Sequence, residues 1–161
     1  MIATLDVSAS REVDAPIERL WEAFTEPVLI KRWWGPNGFT CPLANMDVRL
    51  GGVSLLGMKA PPEYGGRVMY TTWSYTEVDP EVRLEFDLRF ATSEGLTISP
   101  AEAGIGPGVP DEVPHVVTFD RLGDGRSRVS IVESGYTELA ERDMSQLGLE
   151  QCLDKLQVAV R

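Results

Sequence analysis

Histidine is almost absent from this chain. His115 is the only one in 161 residues, and the two cysteines, Cys41 and Cys152, stand far apart without CxxC spacing. One imidazole excludes a multi-histidine metal site, and two isolated thiols read as reduced, packed side chains. Positive charge is also short. Fifteen Lys and Arg stand against 25 Asp and Glu, a formal net charge of −10. Such a chain is repelled by nucleic acid and by anionic membrane surfaces. No apolar run is long enough to span a bilayer. The opening MIATLDVSASREV alternates polar and apolar residues and lacks the apolar core of a signal peptide. Cytoplasmic residence is the expectation, with no nucleic-acid or membrane partner. Catalytic motifs are missing as well. There is no GxSxG, no HExxH and no nucleotide fingerprint, and the GIGPG run at 104–108 lacks the spacing, the lysine-serine pair and the helix of a phosphate loop. Neither a metal nor a cofactor is expected.

What is present is 43% hydrophobic and patterned, enough for one globular domain with a real core. Ala3, Leu5, Val7 and Ala9 alternate with polar residues, which predicts a half-buried strand ending near Val13. Asp14 can cap the following helix, with Pro16 in its first turn. Ile17, Leu20, Trp21 and Phe24 recur at helical spacing. Glu26-Pro27 restarts a second short helix through Leu29, Ile30 and Trp33, and Gly35-Pro36-Asn37-Gly38 stops it.

Strands then dominate. The pattern predicts them over Ala44–Leu50, Val53–Met58, Gly66–Val78, around Leu84–Phe90, Val113–Arg121 and Arg126–Ser134. Turns fall at Gly51-Gly52, Asp79-Pro80-Glu81 and Leu122-Gly123-Asp124-Gly125. Leu149, Leu153, Leu156 and Val160 return to helical spacing and predict a terminal helix over Asp143–Val158. Asp143 and Gln146 could cap it, or Thr137 could begin it earlier. The 22 residues from Ser93 to Pro114 carry four prolines and four glycines. A stretch that long without a periodic pattern reads as a lid, a binding loop or disorder.

This order is an α+β plan, and particular runs resemble a known family. DAPIERLWEAFTEPVLIKRWWGP resembles the opening of the SRPBCC (START-like, helix-grip) superfamily, in the branch named for homology to the heat shock protein 90 ATPase activator. MDVRLGG, TEVDPEVRLEF and LGLEQCLDKL resemble that branch's glycine turn, acidic-proline turn and terminal helix. The resemblance covers nearly the whole chain as one START-like domain, 1–161. It departs at Gly148-Leu149, where many relatives carry glycine-tryptophan, and in the longer Ser93–Pro114 loop. It implies a helix-grip fold, a seven-stranded antiparallel sheet wrapped around the long C-terminal helix with two short helices after the first strand. It also implies a cavity for a small apolar molecule between sheet and helix. The eukaryotic chaperone activator has an additional amino-terminal domain to which nothing in this chain corresponds.

Candidate cavity residues follow. Trp33 continues the Leu29 face and should pack inward. Trp34, about 100° further round, should face the cavity entrance or solvent, as packing or as ligand contact. Trp73 and Tyr75 share a face with Met69, for cross-strand packing or cavity lining. His115 lies on the Val117 and Phe119 side of its strand, and Glu133 on the Val129 and Ile131 side. Buried in an apolar pocket the pair could do acid–base work, or near strand ends both could still reach water. Tyr64, Tyr70, Tyr75 and Tyr136 could each donate a hydroxyl. Arg11 reads as an edge ion pair beside Asp14 or as an anion contact. Gly148 permits either close helix–sheet packing or ligand space, and Leu149 in place of tryptophan removes bulk. The expected cavity is walled by Phe86, Leu88, Val117, Phe119, Ile131, Leu149 and Leu153. Three functions compete: binding of a small hydrophobic or aromatic ligand by a monomer or homodimer, a polyketide cyclase/aromatase-like enzyme, and a chaperone-related interaction module.

Overall fold

In the computed structural model, which describes residues 3–161, seven strands form one antiparallel sheet. The strands are β1 (Leu5–Val13), β2 (Thr40–Asn45), β3 (Val53–Lys59), β4 (Val68–Asp79), β5 (Arg83–Ala91), β6 (Val113–Gly123) and β7 (Arg126–Tyr136). Helices α1 (Ile17–Thr25) and α2 (Pro27–Ile30) follow β1, and α3 (Leu139–Ala159) closes the chain. The spatial order is β1-β7-β6-β5-β4-β3-β2. This is the α+β helix-grip plan, with a curled sheet and the terminal helix against it.

Alternation sets the concave face. The pairings Tyr75↔Phe86, Phe86↔His115, His115↔Glu133 and Glu133↔Val7 run as one row across five strands, and all five side chains are buried. Facing them are Leu149, Cys152, Leu153 and Leu156 of α3, spaced as one helical stripe. The helix is held by its polar flank. Arg11 on β1 donates to the Glu150 carbonyl and pairs with the Glu150 and Asp154 carboxylates at 2.8 Å. Gln157 donates to the Glu12 carbonyl, and Lys155 donates to the Gly35 and Phe39 carbonyls.

Several local expectations are corrected. Asp14 makes no cap, since Pro16 is the N-cap of α1, and Arg11 pairs with α3 instead of Asp14. The strand expected over Ala44–Leu50 lies instead over Thr40–Asn45, sharing only Ala44 and Asn45 with the expectation. The Asp47 N–H donates to the Ser54 hydroxyl, and the Gly52 N–H closes a turn on the Arg49 carbonyl. Helix α3 begins at Leu139, four residues before Asp143, and its N-cap Glu138 makes no side-chain cap. Asp143 pairs instead with Arg142, and Gln146 bonds both the N–H and the carbonyl of Ser8, so neither side chain caps a helix.

Candidate functional site

The adjacent tryptophans open the site. Trp33 is fully buried and its indole N–H donates to the Ala23 carbonyl at 2.8 Å, which locks it against α1. Trp34, on the other side of the same turn, meets Trp73 edge-on at 5.0 Å between ring centroids. Trp73 stacks on Phe86 at 4.3 Å and 9°, and Phe86 stacks on the His115 ring at 4.7 Å and 19°. A continuous aromatic row therefore runs from the α2 turn to the middle of the sheet. Offset stacking of this kind adds to area burial and fixes ring planes.

Beside this row lies a cavity of about 260 Å³ between β4–β7 and the first half of α3. Its apolar walls come from Trp34, Phe39, Met58, Leu88, Phe90 and Leu149, and its polar groups include His115, Glu133 and Tyr136. Of the residues expected to form a ligand cavity, the structure brings Trp34, Leu88, His115, Glu133, Gly148 and Leu149 to its surface. It places Trp73, Tyr75, Phe86, Val117, Phe119, Ile131 and Leu153 in the packed core. A roomier hollow of about 490 Å³ near Arg32, Lys155 and Arg161 is a surface depression with a charged rim.

His115 and Glu133 are buried instead of standing open at strand ends. They are 4% and 8% exposed, because α3 and the chain before β6 cover that end of the sheet. The Nδ1 atom of His115 lies 2.9 Å from the Val113 carbonyl, which can only accept, so Nδ1 carries hydrogen. The Nε2 atom lies 3.6 Å from Glu133 Oε2. Tyr136 donates its hydroxyl to Glu133 Oε1 at 2.9 Å. Burial pushes the Tyr136 phenol well above its ordinary value, and the Glu133 carboxylate pushes it the same way. Tyr136 is thus the tyrosine, of the four considered, that joins its hydroxyl to the cavity's polar end. Tyr64 is exposed, and Tyr75 is spent on the Ser54 hydroxyl at 2.7 Å. The position of Tyr136 at the very end of β7 hid this, since strand-end aromatics carry no periodic signal.

Cys152 also faces the cavity, and burial pushes its thiol up to about 11. It is a protonated wall residue at neutral pH. Gly148 stands on the cavity side of α3, and a Cβ built there would meet only the Pro36 Cβ, at 4.0 Å. Close packing therefore does not require this glycine. Its absent side chain is part of the open space.

The segment between β5 and β6 covers the mouth. Its first part folds back on β5 through an Ala91↔Thr97 bridge and an Ile98 N–H bond to the Phe90 carbonyl. Ser99 and Glu102 then exchange side-chain and backbone hydrogen bonds as a reciprocal cap. Arg67 donates to the Ala103 carbonyl at 2.8 Å, and the Thr137 N–H donates to the Gly108 carbonyl at 2.9 Å. Ile105, between those tethers, and Val109, just past the second, line the cavity.

A family model described as activator of Hsp90 ATPase homolog 1-like protein matches residues 14–161. The chain belongs to that family. Solved structures similar to it share the fold of this Hsp90 ATPase activator homologue-like chain. A Chromobacterium violaceum protein is 24% identical, with 96% of each chain covered and a TM-score of 0.77. A Nitrosomonas europaea protein is 22% identical, with 97% of this chain and 94% of the other covered and a TM-score of 0.74. The AHSA1 protein of Silicibacter pomeroyi is 18% identical, with 96% of each chain covered and a TM-score of 0.74. No curated protein matches the chain. Among the described residues, no helix is long and apolar enough to cross a membrane.

Proposed function

We propose that this protein binds a small hydrophobic or aromatic molecule in the cavity between the sheet and α3, with the segment between β5 and β6 as its lid. The observation that carries this reading is the apolar cavity of about 260 Å³ kept open beside Gly148. A dry engineered cavity of about 150 Å³ admits benzene, so this space suits a molecule of about two rings. The family membership and the curled sheet support a ligand-binding fold without naming the ligand. The test is uptake of an environment-sensitive apolar dye. Gly148→Leu and Leu149→Trp both fill the cavity and should weaken uptake severalfold while far-ultraviolet circular dichroism stays unchanged. Undiminished uptake in both folded variants removes the proposal.

Cyclase- or aromatase-like chemistry is the second reading, and one observation favours it: His115 lies beside Glu133 in an apolar pocket. Tyr136 is a poor proton donor for such chemistry at neutral pH because its phenol is held well above its ordinary value. A chaperone-related interaction rests on the family description alone. Native mass spectrometry of protein purified from its own host separates the first two. A single unaltered molecule travelling with the protein supports binding, whereas a substrate–product mixture supports the enzyme.

A further inference from the structure

The charged groups that face the cavity are of one sign. Glu133 and Glu141 bring carboxylates to its wall, and among the described residues no lysine or arginine lines it. Glu133 is the deeper of the two. Its Oε1 accepts from Tyr136, but among the described residues no hydrogen bond reaches its Oε2. The nearest polar neighbour of Oε2 is His115 Nε2 at 3.6 Å, beyond hydrogen-bond range. With Nδ1–H committed to the Val113 carbonyl, Nε2 is the ring atom turned toward Oε2. A carboxylate oxygen thus stands at the end of an apolar space without a hydrogen-bond donor among the described residues. A cationic donor brought to that oxygen makes a charge-assisted hydrogen bond, stronger than a neutral one.

Resting on the binding reading above, we propose that the ligand is a primary arylalkylamine, its nitrogen on an aliphatic carbon and held as the ammonium form. Its N–H groups donate to Glu133 Oε2, while its rings lie against Trp34, Leu88 and Phe90. The groups facing Glu133 are His115 from β6, Tyr136 from β7, and Glu141, Ser145 and Cys152 from α3. The second carboxylate, Glu141, sits at the start of α3 beneath the lid and adds attraction for a cation entering the mouth. A carboxylate ligand of the same shape meets like charge at both ends of the site and is rejected.

Three probes with one ring system decide the matter by isothermal titration calorimetry at pH 7: naphthylmethylamine, naphthylmethanol and naphthoic acid. The amine should bind about tenfold or more tighter than the alcohol, as a charged hydrogen-bonded contact implies, and the acid should bind weakest. Glu133→Gln keeps an acceptor for Tyr136 and should bring the amine down to the level of the alcohol, whose own affinity is retained. Should that variant fail to fold, the order of the three probes on the unaltered protein decides alone. Equal affinities, or tightest binding of the acid, overturn the amine assignment and leave the pocket standing. Loss of the preference in Glu141→Gln but not in Glu133→Gln overturns the role of Glu133. Binding of none of the three, together with no dye uptake, overturns the binding reading and this inference with it.

Discussion

Gly148 occupies the middle of α3, where glycine is about 0.5–1 kcal/mol less favourable than alanine. Its φ is not in the left-handed region, and the nearest atom to an added Cβ is 4.0 Å away in Pro36. An alanine therefore fits without moving anything. Gly148→Ala should raise the unfolding free energy by about 0.5–1 kcal/mol in urea denaturation, with the slope unchanged. A loss of stability would mean that the helix and the α2–β2 turn pack more tightly than the geometry shows. The contrast with Gly148→Leu is informative because both share the helix-propensity gain, whereas only leucine reaches into the cavity. The glycine is thus a residue whose worth lies in volume left empty.

The lid between β5 and β6 is tied at discrete points. Ile98 bonds β5, Arg67 holds the Ala103 carbonyl, and the Thr137 N–H holds the Gly108 carbonyl. The side chains this segment brings to the cavity are Ile105 and Val109, so it has little apolar area with which to resist opening. Amide hydrogen exchange at residues 101–110 should be fast in the free protein relative to β5 and β6. It should slow at least severalfold when the cavity is filled by the apolar dye, as a lid closing over a ligand would do. Equal exchange in the two states would make the segment a surface insertion. At the same scale, α3 is clamped to β1 by Gln146, Arg11 and Gln157 and to the α2–β2 turn by Lys155. Its first half leaves Leu139, Met144 and Leu147 exposed and borders the cavity.

The molecule as a whole carries buried acids that ionise only at high pH. Burial pushes the Cys152 thiol up to about 11, and the Cys41 thiol and the Tyr75 and Tyr136 phenols are raised by the same cause. Each holds its proton more tightly in the folded state than in the unfolded chain. The associated stability is therefore complete below the ordinary thiol value of 9.0 and is lost as pH rises through about 11. Chemical denaturation at a series of pH values should show stability falling across that window. The Cys152→Ala variant should fall less steeply, whatever its absolute stability. An identical slope in the variant would place the alkaline sensitivity elsewhere, on the phenols.

Alternation and helical spacing determined six of the strands, the hairpin turns, the two short helices and the apolar stripe of α3, because each depends on residues close in sequence. Strand Leu84–Phe90 and the Gly123-Asp124-Gly125 turn needed no tertiary information at all. Tertiary structure decided where elements end. The Ala44–Leu50 alternation stops being a strand at Asn45 because Asp47 and Gly52 spend their N–H groups on Ser54 and Arg49, and α3 starts before Asp143 without a side-chain cap. It also decided which inward residues meet open space. Periodicity tells a face from its opposite but not a packed site from a void, so Phe86, Val117 and Ile131 share a face with Leu88 and His115 yet lie in the core. The joining of Tyr136 to Glu133, and of Glu133 to His115, required the β6–β7 register and the chain's turn into α3. A distance across strands is set by the sheet, and no local sequence pattern encodes it.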